Sequence, residues 1–186
     1  MRWIWIVFWC VAWPLWADPQ RYVLDAERSD VGFVYAFQGQ PTQGTMPVRS
    51  ADITLDLRDV SRSQVAVALD PARARAGFVF ATQTMKGPSI LDTARFPTIT
   101  FRSTRVTGTV NDARLTGDIT IRGVTRPITL TAGLFQEQGV DPAQRDKLLI
   151  VIKGSVNRND FGAGGWPNYV DERIDLNIRA WIDRVQ

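Results

Sequence analysis

The sequence predicts an all-β domain: an antiparallel barrel of about eight strands, with short helical turns in the loops. Three observations carry this. From residue 20 onward apolar residues fall on alternate positions. That period of two gives each strand one dry and one wet face, as in antiparallel rather than doubly buried parallel sheets. Turn-forming residues punctuate the runs, a spacing common to sandwiches and barrels. Several runs reach about ten residues, beyond the usual five or six, so a sheet with one dry face curls on itself. A barrel of about eight strands keeps room inside for one small ligand.

The elements follow in order. "SDVGFVYAFQ" places Val31, Phe33, Tyr35 and Phe37 on one face, and "DITLDL" does the same with Ile53, Leu55 and Leu57. "QVAVALD" contributes Val65, Val67 and Leu69; "PTITFRS" contributes Ile99 and Phe101. "RLTGDITIRG" sets Leu115, Ile119 and Ile121 opposite Thr116, Asp118, Thr120 and Arg122. "RPITLTAGL" gives Ile128, Leu130, Ala132 and Leu134, and "RIDLNIRAWI" gives Ile174, Leu176, Ile178, Ala180 and Ile182. Turns are expected at Gly39-Gln40-Pro41, Asp59-Val60-Ser61, Gly108 to Asp112, Gly123 to Pro127, and from Gly154 onward. Asp70 to Leu91 breaks the period and reads as a loop with helical turns, stopped by Gly87-Pro88. Gly139 to Asp146 reads as a polar loop.

The first residues read differently. Met1-Arg2 is a short cationic start, Trp3 to Trp13 is uncharged and apolar, and Ala17 closes a cleavage-like region. Residues 1–17 thus read as a secretory signal peptide, shorter in its apolar run than the roughly 20 residues of a spanning helix. The remaining domain, 18–186, then lacks both His and Cys, since Cys10 leaves with the signal. Disulfides, thiol nucleophiles, Cys/His zinc sites and His general bases are excluded from it. Arg and Lys are scattered among Asp and Glu, with no basic stripe for nucleic acid.

Four motifs then resemble one family. "YVLDAERSDVGFVYAF", "ILDTARFPTITFRS", "LTGDITIRGVTRPITL" and "NRNDFG" occur in the order of the YceI-like family of exported bacterial proteins and span nearly all of residues 18–186. The sequence departs from that family at Thr82, Gln83 and Thr84, where members commonly carry a charged pair, and at Ala163, where Met is common. The resemblance implies a lipocalin-like barrel in the periplasm. It implies a long apolar cavity that holds a polyisoprenoid lipid, such as a prenyl quinone or polyprenyl phosphate, with no further cofactor. Dimers are common in the family, and transient contact with the membrane surface is a further expectation.

The candidate site follows. A dry face ordinarily packs as a filled core; a lipid carrier instead lines a cavity with it. Under the carrier reading the lining is Phe33, Phe37, Leu55, Val67, Met85, Ile90, Phe101, Ile119, Ile121, Leu130, Phe161 and Leu176, with Phe96 also on the dry face. In "VNRNDFGAGGW", Arg158 and Asp160 lie two apart and project to one side if the chain is extended. Their bland reading is turn capping or an ion pair. Their functional reading puts Arg158, Asp160 and Trp166 at the mouth, with Arg158 donating to a head group. No catalytic or metal site is assigned. Asp118, Asp160, Asp171, Glu172 and Asp175 are not forced into pairs, and no His is present to activate a hydroxyl. The lead function is binding and transport of an isoprenoid lipid. The alternatives are a stress-related interaction or scaffold barrel with a filled core, and an enzyme acting on a lipid.

Overall fold

Each alternating run becomes a strand of one antiparallel sheet in the computed structural model, which describes residues 18–135 and 146–185. The proposed signal segment 1–17, and residues 139–145 of the polar loop, lie outside the described residues. The strands are β1 (Gln20–Leu24), β2 (Asp30–Phe37), β3 (Gln40–Thr45), β4 (Val48–Leu55), β5 (Gln64–Leu69), β6 (Ile99–Gly108), β7 (Ala113–Ile121), β8 (Val124–Phe135), β9 (Lys147–Asn157) and β10 (Val170–Arg184). Among the described residues one α-helix, α1 (Val79–Lys86), interrupts them.

Closure comes from the long last strand. The order β1-β4-β5-β6-β7-β8-β9-β10 returns on itself because β10 also pairs β1, so eight strands make a closed barrel. The β2–β3 hairpin extends it at one end. β1 and β2 run along successive stretches of the same edge of β10: Leu24 faces Ile182, and Val31 faces Ile178. The barrel is therefore deepest where β2 and β3 rise, and that end carries the loop from Asp70 to Leu91.

Two turns are tighter than the sequence pattern indicates. Gln38 and Gly39 have φ of 50° and 75°, and Arg122 and Gly123 have 51° and 75°. Both are two-residue hairpin loops, whose twist matches that of the flanking strands. Consequently Gln40-Pro41 and Val124 to Pro127 belong to strands, not turns. Pro41 is tolerated because β3 is an edge strand. Pro127 sits where β8 pairs β7 alone, since pairing with β9 begins at Thr131. The strand β1, the start of β4 and the register of β9 also exceed what the alternation revealed.

Register shifts redirect two strands. Between Val48 and Ser50, and again between Ser103 and Arg105, the pairing slips by one residue. A slip reverses which parity faces inward. Ile99 and Phe101 thus share the interior with Val106, and Val48 shares it with Ala51 and Ile53. Inside the wall, Gly154 of β9 stands beside Leu130 of β8: a side chain there would meet Leu130 Cδ2. The glycine lets two strands approach while Leu130 keeps its place.

The loop from Asp70 to Leu91 forms a cap over the deep end. A 3-10 turn at Pro71–Arg73 is capped by the Asp70 carboxylate, which accepts from Ala72 N. Arg75 bridges to Thr45, extending β3. Ala76 is held at both ends: its N–H donates to Thr82 Oγ1 at 2.9 Å, and its carbonyl accepts from Tyr35 Oη at 2.9 Å. Burial raises the Tyr35 pKa, which keeps that phenol a donor. α1 then presents Phe80, Ala81, Thr84 and Met85 to the interior, the i, i+4 face of a short helix.

Candidate functional site

The interior of the barrel is not filled. Two apolar chambers run along it, an upper one of about 160 Å³ under the α1 cap and a lower one of about 200 Å³ toward the termini. They share five wall residues, Val31, Leu69, Ile99, Ile119 and Leu176, from β2, β5, β6, β7 and β10. These form an aliphatic waist common to the two chambers.

The structure places each expected lining residue on one chamber or both. Phe33, Phe37, Met85, Ile90, Ile121 and Phe161 line the upper chamber. Leu55, Val67, Phe101 and Leu130 line the lower chamber, and Ile119 and Leu176 touch both. Phe96 does not take part: its ring lies against Gly123, with the Arg95 guanidinium 5.3 Å from the ring centre. The lower chamber has few polar neighbours. Among them Asp56 is already satisfied: its carboxylate accepts from Asp59 N and Arg58 N at 2.9 Å each and pairs with Arg62 at 3.3 Å. These contacts, the Asp59 bond first, hold its pKa below the usual carboxylate value.

The glycine-rich stretch after β9 does not stay extended. Arg158–Phe161 is a 3-10 turn capped by Asn157 and ended by Gly162 at φ 68°. The turn separates Arg158 from Asp160, contrary to the same-side placement that an extended chain would give. Arg158 is buried and touches the upper chamber wall, whereas Asp160 is exposed and lines neither chamber. The Arg158 guanidinium donates to four backbone carbonyls: Nε to Asp171, Nη1 to Ala163 and Gly165, and Nη2 to Val170, at 2.6 to 2.9 Å. Burial lowers its pKa, while Glu172 and Asp171 oppose that shift. Its planar fork therefore ties the Gly162 to Asp171 loop to the barrel. Arg122 does the same for the neighbouring loop, donating from Nη1 to Pro88 O and Ile90 O.

Between these pinned loops and α1 lies an aromatic mouth. Trp166 meets Phe80 edge-on at 5.7 Å and Tyr169 at 5.8 Å; Phe37 meets Phe78 at 5.4 Å. Phe78, Val79, Phe80, Trp166 and Tyr169 are all exposed. The two segments that supply them, residues 76–85 and 161–170, carry no charged side chain. Sequence reasoning identified Trp166 but missed Phe78, Phe80 and Tyr169. The uncharged stretch around Phe78 and Phe80 was the available signal.

Fold and site together define a closed eight-stranded antiparallel barrel with two adjoining apolar chambers and an aromatic mouth. A model of the YceI-like domain matches residues 22–181, so the chain belongs to the YceI-like family. It is 30% identical over 162 residues to a UPF0312 protein of Pseudomonas fluorescens (strain SBW25), covering 87% of this chain and 80% of that one. It is 28% identical over 135 residues to protein YceI of Escherichia coli O17:K52:H18, covering 73% and 70% of the two chains. Among solved structures, Burkholderia cenocepacia BcnA superposes with a TM-score of 0.74 at 19% identity, over 85% of this chain and 98% of that one. A polyisoprenoid binding domain from Saccharophagus degradans, implicated in plant cell wall breakdown, superposes with a TM-score of 0.65 at 10% identity, over 89% and 99%. Both superpositions are similarities of fold.

Proposed function

We propose that this protein is a periplasmic carrier that holds an isoprenoid lipid, a prenyl quinone or polyprenyl phosphate, in its channel. The observation that carries the reading is the pair of apolar chambers meeting at an aliphatic waist. Two adjoining, nearly unpolar chambers suit a long hydrocarbon tail. Each buried CH₂ or CH₃ contributes about 0.8 kcal/mol, so several prenyl units bind firmly with no hydrogen bond. The barrel removes the tail from water and catalyses nothing; its loading and release run through the aromatic mouth, in brief contact with a membrane surface. The Saccharophagus degradans neighbour, a polyisoprenoid binding domain, supports the ligand class. Four bonds from Arg158 to backbone carbonyls of the mouth loop support a reading in which recognition rests on the tail. A homodimer that leaves the mouth free is compatible with this reading.

Organic extraction of the protein purified from its native host, followed by mass spectrometry, tests this. A co-purifying prenyl lipid is the expected result. A preparation with no bound lipid, and no uptake of added prenyl quinone, would favour the interaction or scaffold barrel.

A further inference from the structure

We infer that the waist formed by Val31, Leu69, Ile99, Ile119 and Leu176 selects ligands by tail length. The inference rests on the carrier reading and adds to it a division of labour along the channel. The five residues are the walls common to the two chambers, and every other lining residue belongs to one chamber alone. A tail short enough to end in the upper chamber never passes the waist. A longer tail must thread it to reach the lower chamber.

The ring draws its members from both sides of the barrel. Leu69 and Ile99 are direct cross-strand partners on β5 and β6, and Ile119 of β7 pairs with Phe101 one step further along β6. Val31 and Leu176 approach from β2 and β10, which are neighbouring strands on the opposite wall. All five side chains are branched aliphatics, and three of them (Val31, Ile99, Ile119) branch at Cβ. Such side chains have few χ1 choices and do not swing aside readily. The upper chamber contains more adaptable side chains, Met46 and Met85, whereas the lower chamber combines Phe101 with further branched aliphatics such as Val67, Val106 and Ile152. The cavity thus yields more readily above the waist than at it. The lower chamber accommodates the distal part of a long tail, and the waist admits only chains thin enough to thread it, as a prenyl chain is.

The test uses farnesol as the short probe and solanesol as the long one, with binding measured by native mass spectrometry and by competition. Two variants narrow the waist from opposite walls, Ile119→Phe and Leu176→Phe. The expected result is a solanesol affinity that falls about tenfold more than the farnesol affinity, the tenfold difference corresponding to about 1.4 kcal/mol. Farnesol binding also reports that each variant is folded. Solanesol binding at wild-type strength in both variants overturns the inference, because the waist would then be no constriction. Equal loss of both probes in a variant with wild-type near-ultraviolet circular dichroism overturns it too, because the chambers would then act as one. A wild-type protein that takes up neither probe refutes the carrier reading itself, and the selection by length with it.

Discussion

The ring of Phe101 occupies the space where Gly117 would carry a side chain. A Cβ built on Gly117 would lie 2.6 Å from Phe101 Cζ and closer still to the Arg102 carbonyl oxygen. The two residues sit on adjacent strands, β6 and β7, whose inner faces bound the lower chamber. A single methyl group at Gly117 must push against backbone as well as ring, and only the ring can yield. Gly117→Ala is therefore expected to destabilise the barrel by about 1–3 kcal/mol, the range for overpacking a close contact. Urea denaturation of the two proteins measures it; equal midpoints and slopes would show that the strands part freely here.

The opposite change at the same contact bears on binding. Phe101→Ala removes a large apolar surface from the lower chamber, where fully burying a Phe side chain is worth about 1.5–3 kcal/mol. Retention of a long prenyl lipid is expected to fall at least about tenfold. Asp160→Asn, on the exposed side of the 3-10 turn, is expected to leave retention unchanged. A lipid-loading assay on both variants decides whether the tail dominates: wild-type retention by Phe101→Ala would show that it does not.

Arg158→Lys tests the role of the guanidinium. Lysine keeps the charge but lacks the planar fork, and one ammonium cannot serve carbonyls on Ala163, Gly165, Val170 and Asp171 together. At least one buried carbonyl loses its donor. A stability loss of about 2–3 kcal/mol is expected, within the range for charge-assisted bonds, with farnesol affinity little changed in the folded fraction. Calorimetric unfolding and a binding titration separate the two effects. Unchanged stability with weakened binding of a prenyl phosphate would return Arg158 to the head-group role.

Most of the barrel was legible because the alternation reports one face directly. Val31 to Phe37, Leu115 to Ile121 and Ile174 to Ala180 face the chambers as their period requires, and Ile182 joins the buried cluster with Ile53 and Leu148. The places that escaped are where period two is broken by geometry without a composition signal. The slip between Ser103 and Arg105 turns Val106 inward, though Val106 has the parity of a wet residue. Gln40-Pro41 resembles a turn until a Gln38-Gly39 loop with both φ positive places it in a strand. At the site the same rule misled: two residues apart means one side only in extended chain, and Arg158–Phe161 is a 3-10 turn. Whether a dry face encloses a core or a channel depends on how far apart the walls stand. Alternation reports the face of each side chain, not the width of the space it points into.

Asp56 gives the barrel an acid-sensitive contact. Its folded pKa is lowered, chiefly by the Asp59 and Arg58 amides, with Arg62 adding to the effect. A carboxylate with a depressed folded pKa contributes fully above its unfolded value, about 4, and the contribution is lost as pH falls through the folded value. Asp56→Asn keeps an oxygen that can accept the two N–H bonds but carries no charge. The variant is expected to be less stable than wild type at neutral pH, and the gap should close below about pH 4. Thermal unfolding across a pH series measures it. A gap that stays constant from neutral pH to strong acid would mean that the charge of Asp56 does not contribute.

The aromatic mouth bears on loading. Trp166 holds φ of 60°, a left-handed conformation that is an outlier for so bulky a residue, and in it the indole stands beside Phe80 and Tyr169 with 42% of its surface exposed. Tryptophan and tyrosine favour the boundary between water and lipid, where an apolar ring and a polar tip are both accommodated. With no charge in residues 76–85 or 161–170, nothing there opposes entry into that boundary. If cargo enters through this mouth from a bilayer, Phe80→Ser combined with Trp166→Ser should slow transfer of a fluorescent prenyl quinone between vesicles by about an order of magnitude, the equivalent of roughly 1.4 kcal/mol in the barrier. Affinity for farnesol in detergent-free buffer should fall by less than the transfer rate, because Phe80 and Trp166 are exposed members of the upper-chamber wall and its buried members are unaltered. Transfer at the wild-type rate by the double variant would show that the rim takes no part in loading, and that lipid reaches the channel by another route.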